Sequence, residues 1–426
     1  MRFVAAPGWR RRPSIASRGC LAPGLGRAVG RCVKRWRPAR AQSVDDASGV
    51  FEVDITPRVG VGLCGFGPHL NRMSIAVRDP LKARAAALAL GERRAVIVSC
   101  DLIGMTEALV ARIRTLVEAR TGIPGTQVMV HCTHTHSGPN TGGYVGWGDE
   151  DAPYLAILPQ RVAQACAGAV ERLHAVTASH AVTPCEGIGL NREYDRDAPP
   201  LAECLRPDWR PAKPERTDTR CHTLRFHGAA TGRLEGFMAY FGCHPVVCCQ
   251  TTRYLHGDFP GVAINLLERE HPGAVGLFLQ GAHGDANSCV VHKPESEALP
   301  ALDIVAARFA NAVRAGLRAG VPLTLDSLAC VSRIFRFRSK ELPRERLRAL
   351  LAEQEAIIRA PDASDADYAV RMAVVCQTAL AGILARLDRG KDLSNQPAEL
   401  QGIRLGPVAF WGTPVEIMQA IHHHVP

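Results

Sequence analysis

The chain has 426 residues, 46% of them apolar and 22% charged, an ordinary globular composition that excludes collagenous, coiled-coil and wholly disordered states. No run reaches the ~18 consecutive apolar residues of a bilayer-spanning helix, so no transmembrane segment is expected. The net charge of +10 is confined to the N-terminus: Met1 to Ser43 carries 11 of the 51 basic residues and no acidic one, leaving 40 basic against 41 acidic residues elsewhere. The body therefore offers no electrostatic case for a nucleic-acid partner.

Residues 1–45 read as a basic leader, disordered or targeting, and residues 46–426 as a single large domain. The triplet Arg10 to Arg12 raises a twin-arginine-like export signal, but the uncharged run Gly19 to Gly26 is a poor signal-peptide core, which favours a cytoplasmic location. The 15 cysteines include no Cys-x-x-Cys pair, so they read as small buried hydrophobes in a reducing compartment.

Along the chain, Phe51 to Pro57 alternates like a short strand before the glycine-rich run 60–67. Arg94 to Cys100 is a β-branched strand that delivers Asp101 to its end, Glu107 to Arg120 is a helix stopped by Gly122 and Pro124, and Gln127 to His131 is a second strand. That strand–helix–strand unit predicts a parallel pair whose C-terminal ends bring Asp101 and His134 to one rim. A helix follows near 154–174, then a hairpin of 221–226 with 235–242, a helix over 261–270 and a strand over 274–279. Helices at 301–318, 341–359 and 366–387, with extended segments at 321–338 and 401–411, complete an α/β fold with mixed, partly parallel sheets and flanking helices.

The densest chemistry is His131, His134 and His136 within six residues. On a strand or a Gly/Pro-ended loop, His134 and His136 share a side, which suits two imidazoles on one metal, or one ligand beside one acid/base; polar loop histidines are the plain alternative. Further strand-end motifs are Phe241-Gly-Cys-His244-Pro245, Tyr254-Leu-His256-Gly-Asp258-Phe-Pro-Gly261 and Gln280-Gly-Ala-His283-Gly-Asp285-Ala-Asn287. Glycine beside aspartate there permits close backbone approach to a ligand, or simply a turn.

Taken in order, 51–57, Arg78 to Arg84, Val98-Ser-Cys-Asp101, Thr133-His-Thr-His-Ser-Gly-Pro139, Asn191-Arg192, His244-Pro, Gly257 to Gly261 and Gln280 to Asp285 resemble the neutral/alkaline non-lysosomal ceramidases over about 51–418. The likeness is that of a shorter bacterial relative. The resemblance implies a zinc-dependent amidase that cleaves the N-acyl bond of ceramide, with zinc on His134, His244 and Glu416, the last within Gly412-Thr-Pro-Val-Glu416. It also implies His136 beside the metal and Arg192 facing the carbonyl. His136 or Asp258 would handle protons, and Asp285 with Asn287 would orient water or substrate. The expected partner is a small-molecule or lipid-like amide.

Three departures set expectations. Asn287 holds the place where the resemblance puts a serine nucleophile, with Ser288 one residue late and facing the other way, so attack by zinc-activated water is expected. The sequence ends ten residues after Glu416 without the family's tyrosine ligand, which reads as a truncated domain in which His422 to His424 could substitute. The family's immunoglobulin-like C-terminal domain is also absent, which weakens ceramide as the substrate. The alternative is a degenerate, non-catalytic member that binds a small ligand.

Overall fold

The computed structural model describes residues 2–5, 46–193, 199–338, 341–391 and 393–422. Apart from 2–5, the leader lies outside the described residues. Eight strands form the main sheet: β1 (Ala47–Asp54), β2 (Lys82–Leu90), β3 (Arg93–Cys100), β4 (Val128–Cys132), β5 (His174–Pro184), β6 (Arg220–Gly228), β7 (Leu234–Phe241) and β8 (Val275–Gln280). Their order is β8-β7-β6-β5-β1-β2-β3-β4, and a short strand at Val321–Leu323 also pairs with β5. β3 and β4 are parallel, as are β7 and β8, while every other neighbour is antiparallel. The sheet is thus mixed, as the alternation of strands and helices predicts.

The seam between β1 and β5 is two residue pairs wide, Ala47 with Ala175 and Ser48 with His174. So little pairing lets the sheet bend there, and β8 packs against β2, β3 and β4. Side chains of alternate parity show the result. Ala86, Leu88, Ala95 and Ile97 meet Met238, Tyr240, Leu277 and Leu279 in a shared core. The opposite parity, Ala83, Ala85, Ala87, Val96 and Val98, packs on helices α1 (Glu107–Thr121) and α2 (Ala152–Glu171). Phe237, Ala239, Phe241 and Phe278 pack on α3 (Asp258–Glu270) and α4 (Glu295–Ala319). Period-2 burial on both faces therefore builds a four-layer α/β/β/α body. Among the bonds that cross between its halves, the Ser99 hydroxyl donates to Phe278 O (2.6 Å), and Gln280 N–H donates to His131 Nε2 (2.9 Å).

A second sheet of β9 (Leu328–Arg338), β10 (Asn395–Leu405) and β11 (Val408–Gly412), edged by Arg2–Ala5, closes one end. Between β9 and β10 the chain makes a helical hairpin, α5 (Arg344–Ile358) and α6 (Tyr368–Asp388). α6 has the length and hydropathy to cross a membrane, and it packs along α5.

Several boundaries differ from expectation: the extended segment 321–338 divides into Val321–Leu323 and β9, 401–411 divides between β10 and β11, the helix near 154–174 ends at Glu171, and two helices start early. α4 begins at Glu295 and passes through Pro300, because a proline this close to a helix start gives up few intrahelical bonds. α3 begins at Asp258, whose φ of 51° starts the helix directly from Gly257.

Candidate metal centre

Each functional side chain stands just past a strand. β4 ends at Cys132, and the chain turns through His134 at φ 69°, a backbone state uncommon outside glycine. That turn is held by His134 N–H on Leu102 O, so the ends of the parallel strands β3 and β4 share the rim, as expected. β7 leads to His244, whose N–H bonds Ala286 O, and β8 leads to His283, whose N–H bonds Ile417 O. Glu416 follows β11. Its segment is clamped by Asp285, whose carboxylate accepts from Gln419 N (2.6 Å), and by the Gln419 amide on Gly242 O (2.7 Å).

These four converge. Glu416 Oε1 lies 3.3 Å from His134 Nε2, and Oε2 lies 3.4 Å from His244 Nε2. The His283 ring centre is 4.6 Å from those of both His134 and His244. One donor atom from each of His134, His244, His283 and Glu416 falls within 4.8 Å of the others.

The second ring nitrogen of each histidine fixes its tautomer. Nδ1 sits beside a carbonyl oxygen in all three: Ile103 O for His134 (2.7 Å), His283 O for His244 (2.7 Å) and Gly281 O for His283 (2.8 Å). A carbonyl only accepts, so Nδ1 carries the hydrogen and each Nε2 turns a lone pair inward. Burial, with the neighbouring imidazoles, pushes His283 well below its ordinary pKa, and burial lowers His244 as well, so both rings are neutral at pH 7. Inward lone pairs and one carboxylate, with His134 and His283 Nε2 making no hydrogen bond, form an electron-rich nest that fits a divalent cation such as zinc.

His136 differs. Its ring lies 5.1 Å from that of His134, but Phe66 N–H donates to its Nδ1 (3.4 Å), which places the hydrogen on Nε2. Burial, followed by the charges of His134 and His244, keeps it neutral. It is therefore a buried donor beside the nest. Its backbone is gripped by Arg72, whose guanidinium reaches His136 O (3.2 Å), Gly65 O and Thr252 O. Phe66 and Trp147 stand edge-on to it at 5.2 and 6.5 Å, and Tyr144 stands 6.0 Å behind Trp147.

The other expected residues divide. Arg192 is exposed at the rim, its guanidinium on Gly284 O. Asn287 is half-buried opposite Leu190 in a two-stranded ribbon, and Ser288 is fully buried on the other face. Asp285 accepts with both oxygens from Gln419, Ala420 and Asn191, so it holds the segment that carries Glu416. Asp258 is fully buried in a separate group with Cys248 and His256, and its carboxylate accepts from Val247, Cys248 and Phe259 N–H. It is spent on backbone donors, away from the proton-handling role expected of it. His423 and His424 lie outside the described residues, as does the side chain of His422. Sequence reasoning passed over two residues: His283, although its motif was marked as a strand end, and Arg72, which no motif signalled.

Layered sheets with three buried imidazoles and one exposed carboxylate at their strand ends define an α/β protein with a group of side chains that could hold a metal. The chain belongs to the neutral/alkaline non-lysosomal ceramidase family, whose N-terminal model matches residues 47–292. Its fold is similar to that of neutral ceramidase from Pseudomonas aeruginosa, with a TM-score of 0.62 at 17% identity over 86% of this chain and 61% of that one. A ceramidase complexed with C2 aligns equally well, with a TM-score of 0.62 at 17% identity over 85% of this chain and 62% of that one. The chain thus spans about three fifths of the length of these solved structures. No curated protein matches the sequence.

Proposed function

We propose that this protein is a zinc-dependent hydrolase that cleaves the C–N bond of an N-acyl, lipid-like amide. The observation that carries the reading is the set of inward Nε2 lone pairs facing the Glu416 carboxylate, with His134, His244 and Glu416 as ligands. Zinc bound there would polarise the amide carbonyl and make a neighbouring water acidic. His136, a neutral ring, presents an Nε2–H with no other partner, placed to hydrogen-bond the reacting amide, while the attacking water supplies the proton that the departing amine takes up. Arg192 stands at the rim, where its guanidinium can meet charge developing on the acyl oxygen. Phe66, Trp147 and Tyr144 line the His136 side with apolar surface suited to an acyl chain. Asn287 cannot act as an acylating nucleophile, so water is the attacking species.

The test is elemental analysis of the purified full chain together with hydrolysis of fluorogenic N-acyl sphingosine and shorter N-acyl amides. About one zinc per chain is expected, with amine release abolished by chelation and restored by zinc. Absence of metal at micromolar zinc would refute the reading. A stoichiometric metal without turnover of any amide would favour the ligand-binding, non-catalytic alternative, which the asparagine at 287 motivates.

A further inference from the structure

We infer that His283 is a fourth protein ligand, so that the centre is a three-imidazole, one-carboxylate site. The inference rests on the metal-binding reading above and goes beyond the three ligands assigned there. His283 is buried, 7% exposed, and its ring is as near to His134 and His244 as they are to each other. Its Nδ1–H is committed to Gly281 O and its backbone N–H to Ile417 O, so the loop that carries it is tied to the segment that carries Glu416. Nε2 is left inside the nest without a hydrogen-bond partner. A buried imidazole nitrogen with a free lone pair costs desolvation energy unless something electrophilic meets it, and three such nitrogens beside a carboxylate repel one another.

The tautomer criterion that admits His283 excludes its neighbours. His136 accepts at Nδ1 from Phe66 N–H, and His256, in the buried group with Cys248 and Asp258, accepts at Nδ1 from Asp258 N–H (3.1 Å). Both therefore carry hydrogen on Nε2 and cannot offer it to a metal. Among the described residues, His134, His244, His283 and Glu416 are the one group in which every histidine passes. The four donors come from the ends of β4, β7, β8 and β11, so no residue after Glu416 is needed to reach four. Four protein donors would then be available to the metal, and an outside oxygen would join them as a further ligand.

The experiment loads the full chain with cobalt(II) and counts imidazoles by X-ray absorption, alongside competition for the metal with a chromophoric chelator. The wild type is expected to show three imidazoles. His283→Gln should show two and weaken metal binding by more than the roughly 10–100-fold that the loss of an outer-shell partner costs. His136→Gln should keep three, with affinity within about threefold of wild type. Circular dichroism checks that each variant is folded, and the wild-type count stands without any variant. A bound metal with only two imidazoles, or His283→Gln with unchanged count and affinity, overturns the inference while leaving the proposed function in place. A wild type that binds no metal overturns both.

Discussion

Gly65 shows how closely the surroundings of His136 are fitted. At φ 121° it occupies a backbone region that side chains avoid, and a Cβ there would lie 2.6 Å from the His136 Cβ and 2.8 Å from its Nδ1. Gly65→Ala should cost on the order of 2 kcal/mol in strain and displace the ring. Metal content should stay at the wild-type level while amide hydrolysis falls at least about 100-fold, the loss expected when a hydrogen-bond donor to the reacting amide is misplaced. Equal hydrolysis by the variant would remove His136 from the mechanism. Asp258 makes a different kind of prediction. Burial, partly opposed by three backbone N–H donors, raises its carboxyl from 3.8 to about 6. Because the folded state holds the proton more tightly than the unfolded chain, the stabilisation is full below about pH 4 and is lost as pH rises through about 6. Across that window the wild type should lose on the order of 3 kcal/mol relative to Asp258→Asn, which keeps one carbonyl oxygen for Val247 and Phe259 N–H but cannot ionise. Urea unfolding of both proteins between pH 4 and 8 gives the difference, and parallel curves would show that Asp258 does not titrate there.

Among the elements, the segment after β11 depends most on others for its position. Glu416 to Ala420 holds its place through Ile417 O on His283 and Gly284 N–H and through Asp285 on Gln419 and Ala420 N–H. Asp285→Ala removes that clamp without touching a donor atom of the nest, so metal affinity should fall by roughly 10–100-fold while the unfolding midpoint of the main body moves little. An unchanged affinity in chelator competition would show that Glu416 is held by other contacts. The same segment marks where sequence reasoning stopped. Continuous apolar runs such as 94–100 identify strands buried on both faces, and motif order leads to His134, His244 and Glu416. Lys82 to Leu90 carries no such pattern, because its alanines are chosen for close packing between two layers, where a strand touches α2 on one face and the opposing half-sheet on the other. His283 is equally hidden: in sequence it is one polar residue between glycines, and only the meeting of the ends of β7 and β8 with the β11 segment turns its Nε2 toward the others.

The centre exists because a bent sheet brings its two ends together, and Arg84 is the charge that fastens them. On β2 and 2% exposed, it donates to Asp101 beyond β3 (2.9 Å) and to Glu268 on α3 (2.9 Å), with Asn265 of α3 as a further acceptor. Lys82 and Glu52 extend the network to β1. Burial pushes the Asp101 carboxyl up, and the Arg84 charge is the largest effect opposing it. Arg84→Met would keep much of the side-chain volume but leave Asp101 and Glu268 buried without their cation, a loss of about 3–5 kcal/mol by comparison with other buried pairs broken on one side. Because the stranded carboxylates can take up protons, that loss should be largest near pH 8 and shrink toward pH 5, and pairing Arg84→Met with Asp101→Asn should recover part of it. Since His134 belongs to the β3–β4 side and His244 and His283 to the β7–β8 side, loosening the tie should also lower metal affinity even though no network residue touches the nest. Urea unfolding at the two pH values and a chelator titration measure both effects. A variant that loses stability but keeps full affinity would show that the nest is held by its own loops and not by the closure of the two half-sheets.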